Sequence, residues 1–269
     1  MLTLRGTPPG PRALAVAEVR AAVAREWGRF IATLPASADA AGWRAATRCQ
    51  DWTVADLAAH VVWGASMEAD ALRRARLGHT EPAEGRTIDA AEVAPEVIVA
   101  ELYAARQALV EELAVVGDHD GDRIVPLPYG QLPLAVFLPI LVMEAGIHTD
   151  DLAAAVRPTV LDPLPDDVVV AGTAFLATFL PLLAAAAQET PAPGTVVTLR
   201  GATVDLRLSF GDSGWSTGTV DDATVLIESE DDSTIVRFAL GRLAPDDPRL
   251  AVSGFPGLGH AFKRWFPGP

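Results

Sequence analysis

One stripe of the sequence places an acid and an imidazole among apolar residues. Glu144 and His148 are four residues apart, in a stripe with steps of three and four residues: Phe137, Leu141, Glu144, His148 and Leu152. This spacing predicts one face of a helix, and the apolar members predict that the face is buried. An unpaired buried carboxylate is strongly destabilising, so Glu144 and His148 need partners. One metal ion would satisfy both.

A second predicted helix has the same anomaly, because His60 lies on the apolar face that contains Leu57 and Val61. A single helix face offers only a pair of ligands four residues apart, so a metal site needs a ligand from another element. His60 would be that third ligand. Two imidazoles and one carboxylate suit Zn²⁺ with an open fourth position, and they also suit Fe²⁺ or Mn²⁺. We therefore expect His60, Glu144 and His148 to bind one divalent metal, with zinc as the first choice.

The spacing also has an ordinary explanation. A Glu and a His four residues apart are common on helices, where they form a surface ion pair or a satisfied core histidine. The spacing by itself leaves both interpretations open.

Apolar periodicity predicts four long helices in the N-terminal part of the chain. They cover residues 12–35, 53–77, 91–116 and 132–156. Thr53 is a good N-cap, and Asp56 holds the acidic position of a capping box. A short extended piece is predicted at Ile124 to Leu127. Pro139 should kink the last helix or mark its true start.

The proline-rich stretch 156–167 predicts a linker and two domains, 10–160 and 161–269. A helix at about 166–188 opens the second domain. Four segments rich in β-branched residues then alternate as strands do. They cover residues 195–201, 202–210, 214–220 and 223–229. A helix at about 231–241 and a final turn near 256–266 complete an α+β domain.

Composition excludes several classes of protein. A formal net charge of −14 disfavours binding to nucleic-acid backbones and to anionic membranes. The single cysteine, Cys49, cannot form an internal disulfide. The apolar stretch 168–187 contains Gly172 and Pro181, so it is interpreted as a buried helix rather than a membrane span. We expect a cytoplasmic protein with neither a nucleic-acid partner nor a membrane partner.

Two segments resemble the mycothiol-dependent maleylpyruvate isomerase family, a branch of the DinB-like helical bundles. RCQDWTVADLAAHVVW (48–63) is similar to the family segment C-x-x-W-T-v-x-D-L-x-x-H, and MEAGIHTDDL (143–152) is similar to E-x-x-x-H-x-x-D-L. The PYG turn at 128–130 and the C-terminal part, 219–254, extend the resemblance. It implies an α+β fold, in which a DinB-like up-down four-helix bundle precedes a small sterol-carrier-like α+β domain.

The resemblance also implies roles for single residues. The family's metal ligands fall on His60, Glu144 and His148. The family Asp falls on Asp151, which would either orient a ligand from the second coordination shell or act as a capping or surface charge. Trp52 and Cys49 are interpreted as packing residues, because no base that would activate the thiol is evident near Cys49 in the sequence.

One departure from the family pattern bears on the substrate. Many relatives carry Arg three residues before the ligand Glu, and Leu141 stands there in this chain. If that Arg binds an anionic substrate, this protein lacks it. The departure puts maleylpyruvate itself in doubt as the substrate.

The resemblance implies an enzyme that uses mycothiol as a thiol cosubstrate. The metal would hold the thiol as thiolate, which would attack an electrophilic small molecule. Elimination of the adduct would give cis–trans isomerisation, and a persistent adduct would be S-transfer. Two alternatives stay open: a thiol-independent metal-assisted lyase or hydrolase, and a non-catalytic small-molecule binder with a structural metal.

Overall fold

A computed structural model of the protein describes residues 13–159, 161–218 and 223–267. Contacts within the described chain form two compact units, which divide between Val168 and Val169. The domain ranges 10–160 and 161–269 stay a prediction. Their limits at 10, 160 and 269 lie outside the described residues.

The N-terminal unit is built on four long helices. They are α1 (Val16–Thr33), α3 (Val54–Leu77), α4 (Pro95–Ala114) and α5 (Leu134–Val156), with a short α2 (Ala40–Trp43) after α1. Helix α1 packs on α4 and α5, and α3 packs on the same two helices. An antiparallel hairpin of β1 (Ile124–Leu127) and β2 (Gly130–Pro133) precedes α5. The predicted four-helix bundle and the extended piece at Ile124 to Leu127 are confirmed.

Helix α3 begins where its capping box predicts. The backbone N–H of Asp56 donates to Thr53 Oγ1 over 3.3 Å, and the backbone N–H of Thr53 donates to Asp56 Oδ2 over 2.9 Å. The helix ends at Gly78, whose φ of 73° is a left-handed conformation that favours glycine. Because the helix begins at Val54, His60 lies in its second turn.

Helix α5 supplies the apolar centre of the N-terminal unit. It begins at Leu134 and continues through Pro139, so the proline does not mark its start. Most side chains of its middle turns are buried. A side chain at Gly146 would collide with the side chain of Val168. This glycine therefore lets the backbone of α5 lie close to Val168.

The C-terminal unit contains a five-stranded mixed sheet. Its strands are β3 (Val196–Arg200), β4 (Asp205–Gly211), β5 (Gly214–Thr217), β6 (Val225–Glu228) and β7 (Ala251–Gly254), in the order β5-β4-β3-β6-β7. Only the β3–β6 pair is parallel within the described sheet. The helices are α6 (Asp166–Leu183), α7 (Asp232–Ala239) and α8 (Pro256–Trp265). The predicted α+β class is confirmed.

The four predicted strand segments correspond to β3, β4, β5 and β6, whereas β7 was not predicted. The end of the predicted segment 214–220, at residues 219 and 220, lies outside the described part of the chain.

Helix α6 is the one helix among the described residues that is long and apolar enough to cross a membrane, judged by length and composition alone. Of this 18-residue window, 39% is buried within the fold. Core helices of globular proteins have the same length and composition, so the helix gives little support to a membrane span. The expected absence of a membrane partner stays a prediction.

Candidate metal centre

Helices α3 and α5 bring the three predicted ligands into one cluster. One potential ligand atom from each of His60, Glu144 and His148 lies within 4.8 Å of the other two. Glu144 Oε2 is 3.2 Å from His148 Nε2. The imidazole rings of His60 and His148 have centroids 5.0 Å apart and planes at 79°. The cluster combines donors from two helices that are separate in the sequence.

The chemistry of this cluster fits a metal ion. Zinc binds imidazole nitrogen and carboxylate oxygen at about 2.0–2.2 Å, so ligand atoms of one site lie within about 4.5 Å of each other. The spacing in the cluster, at most 4.8 Å between potential ligand atoms, is close to that limit. The His148 side chain is 9% exposed and that of Glu144 is 32% exposed, so the cluster opens on the Glu144 side. Three protein donors would leave a position for a substrate or a thiol.

Asp151 lies directly behind His148. It is fully buried, and its Oδ2 is 3.3 Å from His148 Nδ1. Complete burial excludes the surface-charge interpretation for this residue. A carboxylate on Nδ1 directs Nε2 toward Glu144, which is the arrangement expected when a buried acid orients a metal-binding histidine. That Asp151 acts on a bound metal stays a prediction.

Cys49 lies beside this cluster, a position that the sequence did not predict. Its Sγ donates to Asp151 Oδ2 over 3.3 Å, the same oxygen that faces His148. Cys49, His148 and Asp151 also have potential ligand atoms within 4.8 Å of one another. The residues next to Cys49 in the sequence do not indicate this contact, because Asp151 and His148 lie on α5, about a hundred residues later. Its description as a packing residue is therefore incomplete.

The protonation of His148 reflects these neighbours. Burial by itself disfavours the imidazolium, but hydrogen bonds with Asp151, Cys49 and Glu144 outweigh it and raise the pKa of His148 well above its ordinary value. A metal ion would have to displace the proton on Nε2, because a coordinated imidazole nitrogen carries none.

Residues 7–153, more than half of the chain, match the family described as "Mycothiol maleylpyruvate isomerase N-terminal domain". The chain belongs to the mycothiol maleylpyruvate isomerase family. No curated protein matches the sequence. Two solved structures have a similar fold: the mycothiol-dependent maleylpyruvate isomerase and a histidine-to-alanine mutant of it. Each has a TM-score of 0.62 and 15% identity, and covers 89% of this chain and 93% of its own.

The range that matches the isomerase family contains His60, Glu144, His148 and Asp151. The roles of these residues as metal ligands and as support for a ligand stay predictions.

Two tryptophans flank His60. The indole of Trp52 lies 4.7 Å from the imidazole, measured between ring centroids, and that of Trp63 lies 5.9 Å away. Trp52 therefore packs as predicted. Together the two indoles limit the rotation of His60 and make one wall of the cluster apolar.

Glu68 was missed by the sequence analysis, although it carries the same signal as Glu144. An acid interrupts an apolar stripe of α3: Leu57, Val61, Ala65, Glu68 and Leu72. Glu68 is 2% exposed, and its Oε2 has no hydrogen-bond partner among the described residues. Desolvation raises the pKa of Glu68 well above its ordinary range, the charge of Glu144 adds to the effect, and that of His148 opposes it. Glu68 thus lies within electrostatic reach of the cluster.

Tyr129, at the turn of the β1–β2 hairpin, is a second residue that the sequence analysis did not single out. The pKa of its phenol is raised by desolvation and then by the charges of Glu68 and Glu144. Tyr129 is 60% exposed, so we give more weight to the charges of Glu68 and Glu144, which place its phenol within electrostatic reach of the two acids. Leu141 is fully buried in α5, and no guanidinium of the described residues contributes to the pKa of Glu68 or of Tyr129.

Proposed function

We propose that this protein is a metal-dependent enzyme that uses mycothiol to attack an electrophilic small molecule. The outcome is either cis–trans isomerisation or S-transfer. The observation that carries this proposal is the cluster of His60, Glu144 and His148, whose potential ligand atoms lie within 4.8 Å of one another. Membership of the mycothiol maleylpyruvate isomerase family supports the choice of thiol. A chain with a single cysteine and a thiol cosubstrate fits a reducing cytoplasm.

In this proposal, His60, Glu144 and His148 hold the metal, with zinc as the first choice. When bound, the metal would lower the pKa of a thiol and so supply a thiolate at neutral pH. Asp151 accepts the N–H of His148 Nδ1 and fixes the tautomer whose Nε2 is free to donate a lone pair. The indoles of Trp52 and Trp63 hold His60 in place and exclude water from that side.

The proposed reaction needs no reactant besides the thiol and the electrophile. The sulfur forms a bond to an alkene carbon that is conjugated with a carbonyl, and the π electrons move to the carbonyl oxygen. The former carbon–carbon double bond is now single and can rotate; when the enolate electrons return and expel the same thiolate, the trans alkene forms. If the proton released by the thiol instead reaches the α-carbon, the thioether persists and the net reaction is S-transfer.

Elemental analysis of the purified protein tests the metal site. We expect about one zinc per chain in the wild type and a loss of zinc in His148→Ala. His119→Ala is the matched control, because the His119 side chain is 88% exposed and lies outside the cluster. A wild type that holds no metal after reconstitution would contradict the proposal.

Calorimetric titration with mycothiol then tests the choice of thiol. We expect heat of binding with metal-loaded protein and none after chelation. Metal that binds without any effect on mycothiol would favour the thiol-independent lyase or hydrolase. A metal that cannot be removed without unfolding would favour the structural role.

A further inference from the structure

The imidazole of His148 has potential metal ligands at both of its nitrogen atoms. Its Nε2 is 3.2 Å from Glu144 Oε2, and its Nδ1 is 3.3 Å from Asp151 Oδ2. Among the described residues, potential ligand atoms within 4.8 Å of one another form two groups of three, and His148 belongs to both. The first group, with His60 and Glu144, is the candidate metal centre. The second group consists of Cys49, His148 and Asp151.

The second group has the dimensions of a coordination site. Cys49 Sγ and His148 Nδ1 each lie 3.3 Å from Asp151 Oδ2. The sulfur and the imidazole nitrogen of this group are at most 4.8 Å apart. A tetrahedral ion such as zinc binds sulfur at about 2.3 Å and nitrogen or oxygen at about 2.0 Å, so its ligand atoms are about 3.3–3.5 Å from each other. The three side chains are thus spaced like the ligands of one ion.

Hydrogen bonding holds these donors together without a metal. The Cys49 thiol donates to Asp151 Oδ2, and the same oxygen faces His148 Nδ1. His148 and Asp151 are buried, whereas Cys49 is half-buried, so a cation would reach the group from the sulfur side. On binding, it would displace one proton from the sulfur and one from Nδ1, because a coordinated thiolate and a coordinated imidazole nitrogen carry none.

We propose that Cys49, Asp151 and the Nδ1 atom of His148 form a second metal position, which takes a soft divalent cation such as Cd²⁺. Thiolate sulfur favours soft cations, whereas the two imidazoles and one carboxylate of the first centre suit zinc. The first centre would use Nε2, on the other side of the same ring. The second position is therefore a separate site and not an extension of the first.

The two positions exclude each other, because they share His148. A neutral imidazole has one unprotonated nitrogen, so it offers a lone pair to one metal at a time. When Nδ1 binds a soft cation, Nε2 keeps its proton and can donate it to Glu144 Oε2, 3.2 Å away. A soft cation would thus take His148 from the zinc centre and inhibit the enzyme. This inhibition rests on the proposed function, whereas the second position itself does not.

Titration of the metal-free protein with Cd²⁺ tests the second position, because a bond between sulfur and cadmium gives an ultraviolet charge-transfer band. The chain has one cysteine, so the band reports Cys49 alone. We expect it to saturate at about one Cd²⁺ per chain. Cys49→Ser should lack the band, although its hydroxyl still donates to Asp151. A wild type without the band would overturn the proposal.

Three further variants distinguish a built site from a lone thiol. His148→Ala and Asp151→Asn each alter one ligand and should weaken Cd²⁺ binding at least about tenfold. Glu144→Gln alters only the first centre, so it should keep both the band and the affinity. Wild-type affinity in His148→Ala and Asp151→Asn would show that the sulfur binds alone. Loss of the band in Glu144→Gln would show that Cys49 belongs to the first centre. Either result would overturn the proposal.

Zinc-loaded protein tests the exclusion of one metal by the other. Added Cd²⁺ should release zinc from the wild type at a concentration at least about tenfold lower than from Cys49→Ser. Elemental analysis after gel filtration measures the zinc that stays bound. A sulfur–cadmium band in protein that keeps its zinc would contradict the sharing of His148. If the wild type binds no zinc, the proposed function fails, whereas the band of the metal-free protein still decides the second position.

Discussion

The Nδ1 atom of His148 lies 3.3 Å from Oδ2 of Asp151, one helical turn later in α5. Asp151 is completely buried, so water does not compete for this contact. Buried acids in this position fix the tautomer of metal-binding histidines and increase their basicity. The fold therefore sets the orientation of the imidazole before any metal binds.

Asp151→Asn should weaken zinc binding about 10- to 100-fold, because the amide holds the ring less strongly and does not raise its basicity. A competition titration with a chromophoric chelator measures this affinity. Asp150→Asn is the matched control, since its carboxylate pairs with Arg48 at 2.8 Å. Equal losses in both variants would show that the effect is general to this turn of α5.

Cys49→Ala should also weaken zinc binding, but by less than about tenfold. The thiol donates to Asp151, which in turn orients His148, so its effect on the metal is indirect. Cys49→Ser should restore most of the affinity, because its hydroxyl donates to the same carboxylate. The same chelator competition distinguishes the two variants. Identical affinities for alanine and serine would contradict a role for the hydrogen bond.

Thr53→Ala should lower the free energy of unfolding by about 1 kcal/mol, because it removes the N-cap of α3. The Thr53 hydroxyl also donates to Asp56 Oδ2 over 2.6 Å, so the two residues act together. Urea denaturation should therefore show that the losses in Thr53→Ala and Asp56→Ala do not add in the double mutant. Strict additivity would show that the capping box is not cooperative.

Lys263→Met should stabilise the protein at pH 7 and lose this advantage at high pH. Desolvation, followed by the charge of Arg242, lowers the pKa of Lys263 to about 8 in the folded protein. The unfolded chain then binds more protons between pH 8 and about 10.4, so the wild type gains stability as the pH rises through this range. Below pH 8 the ammonium of Lys263 stays charged in the folded state, so the full free-energy cost of its partial burial lowers the stability of the protein.

We expect Lys263→Met to raise the free energy of unfolding at pH 7 by about 1–3 kcal/mol. The loss of the hydrogen bond from Nζ to Ala239 O offsets part of the gain. Urea denaturation at pH 7 and at pH 10.5 measures both values. A stabilisation that is the same at the two pH values would exclude titration of Lys263 as its cause.

The sequence by itself determined the local features of this protein. The capping box of Thr53 and Asp56 fixed the start of α3, because the atoms involved lie within one turn. The stripe that contains Glu144 and His148 identified α5 in the same way, because apolar periodicity reports directly which helix face is buried. Four strand segments were visible as alternating patterns, whereas α2 and β7 have four residues each and show too little periodicity.

Only the tertiary structure decided which side chains meet. Cys49 and Asp151 are 102 residues apart, and their hydrogen bond depends on how the segment before α3 packs against α5. The same packing brings the face of α3 that holds His60 and Glu68 within electrostatic reach of Glu144. Helix periodicity gives the face of each helix but not its register against a neighbour. Interlocking side chains in the core set that register, and with it the composition of the cluster.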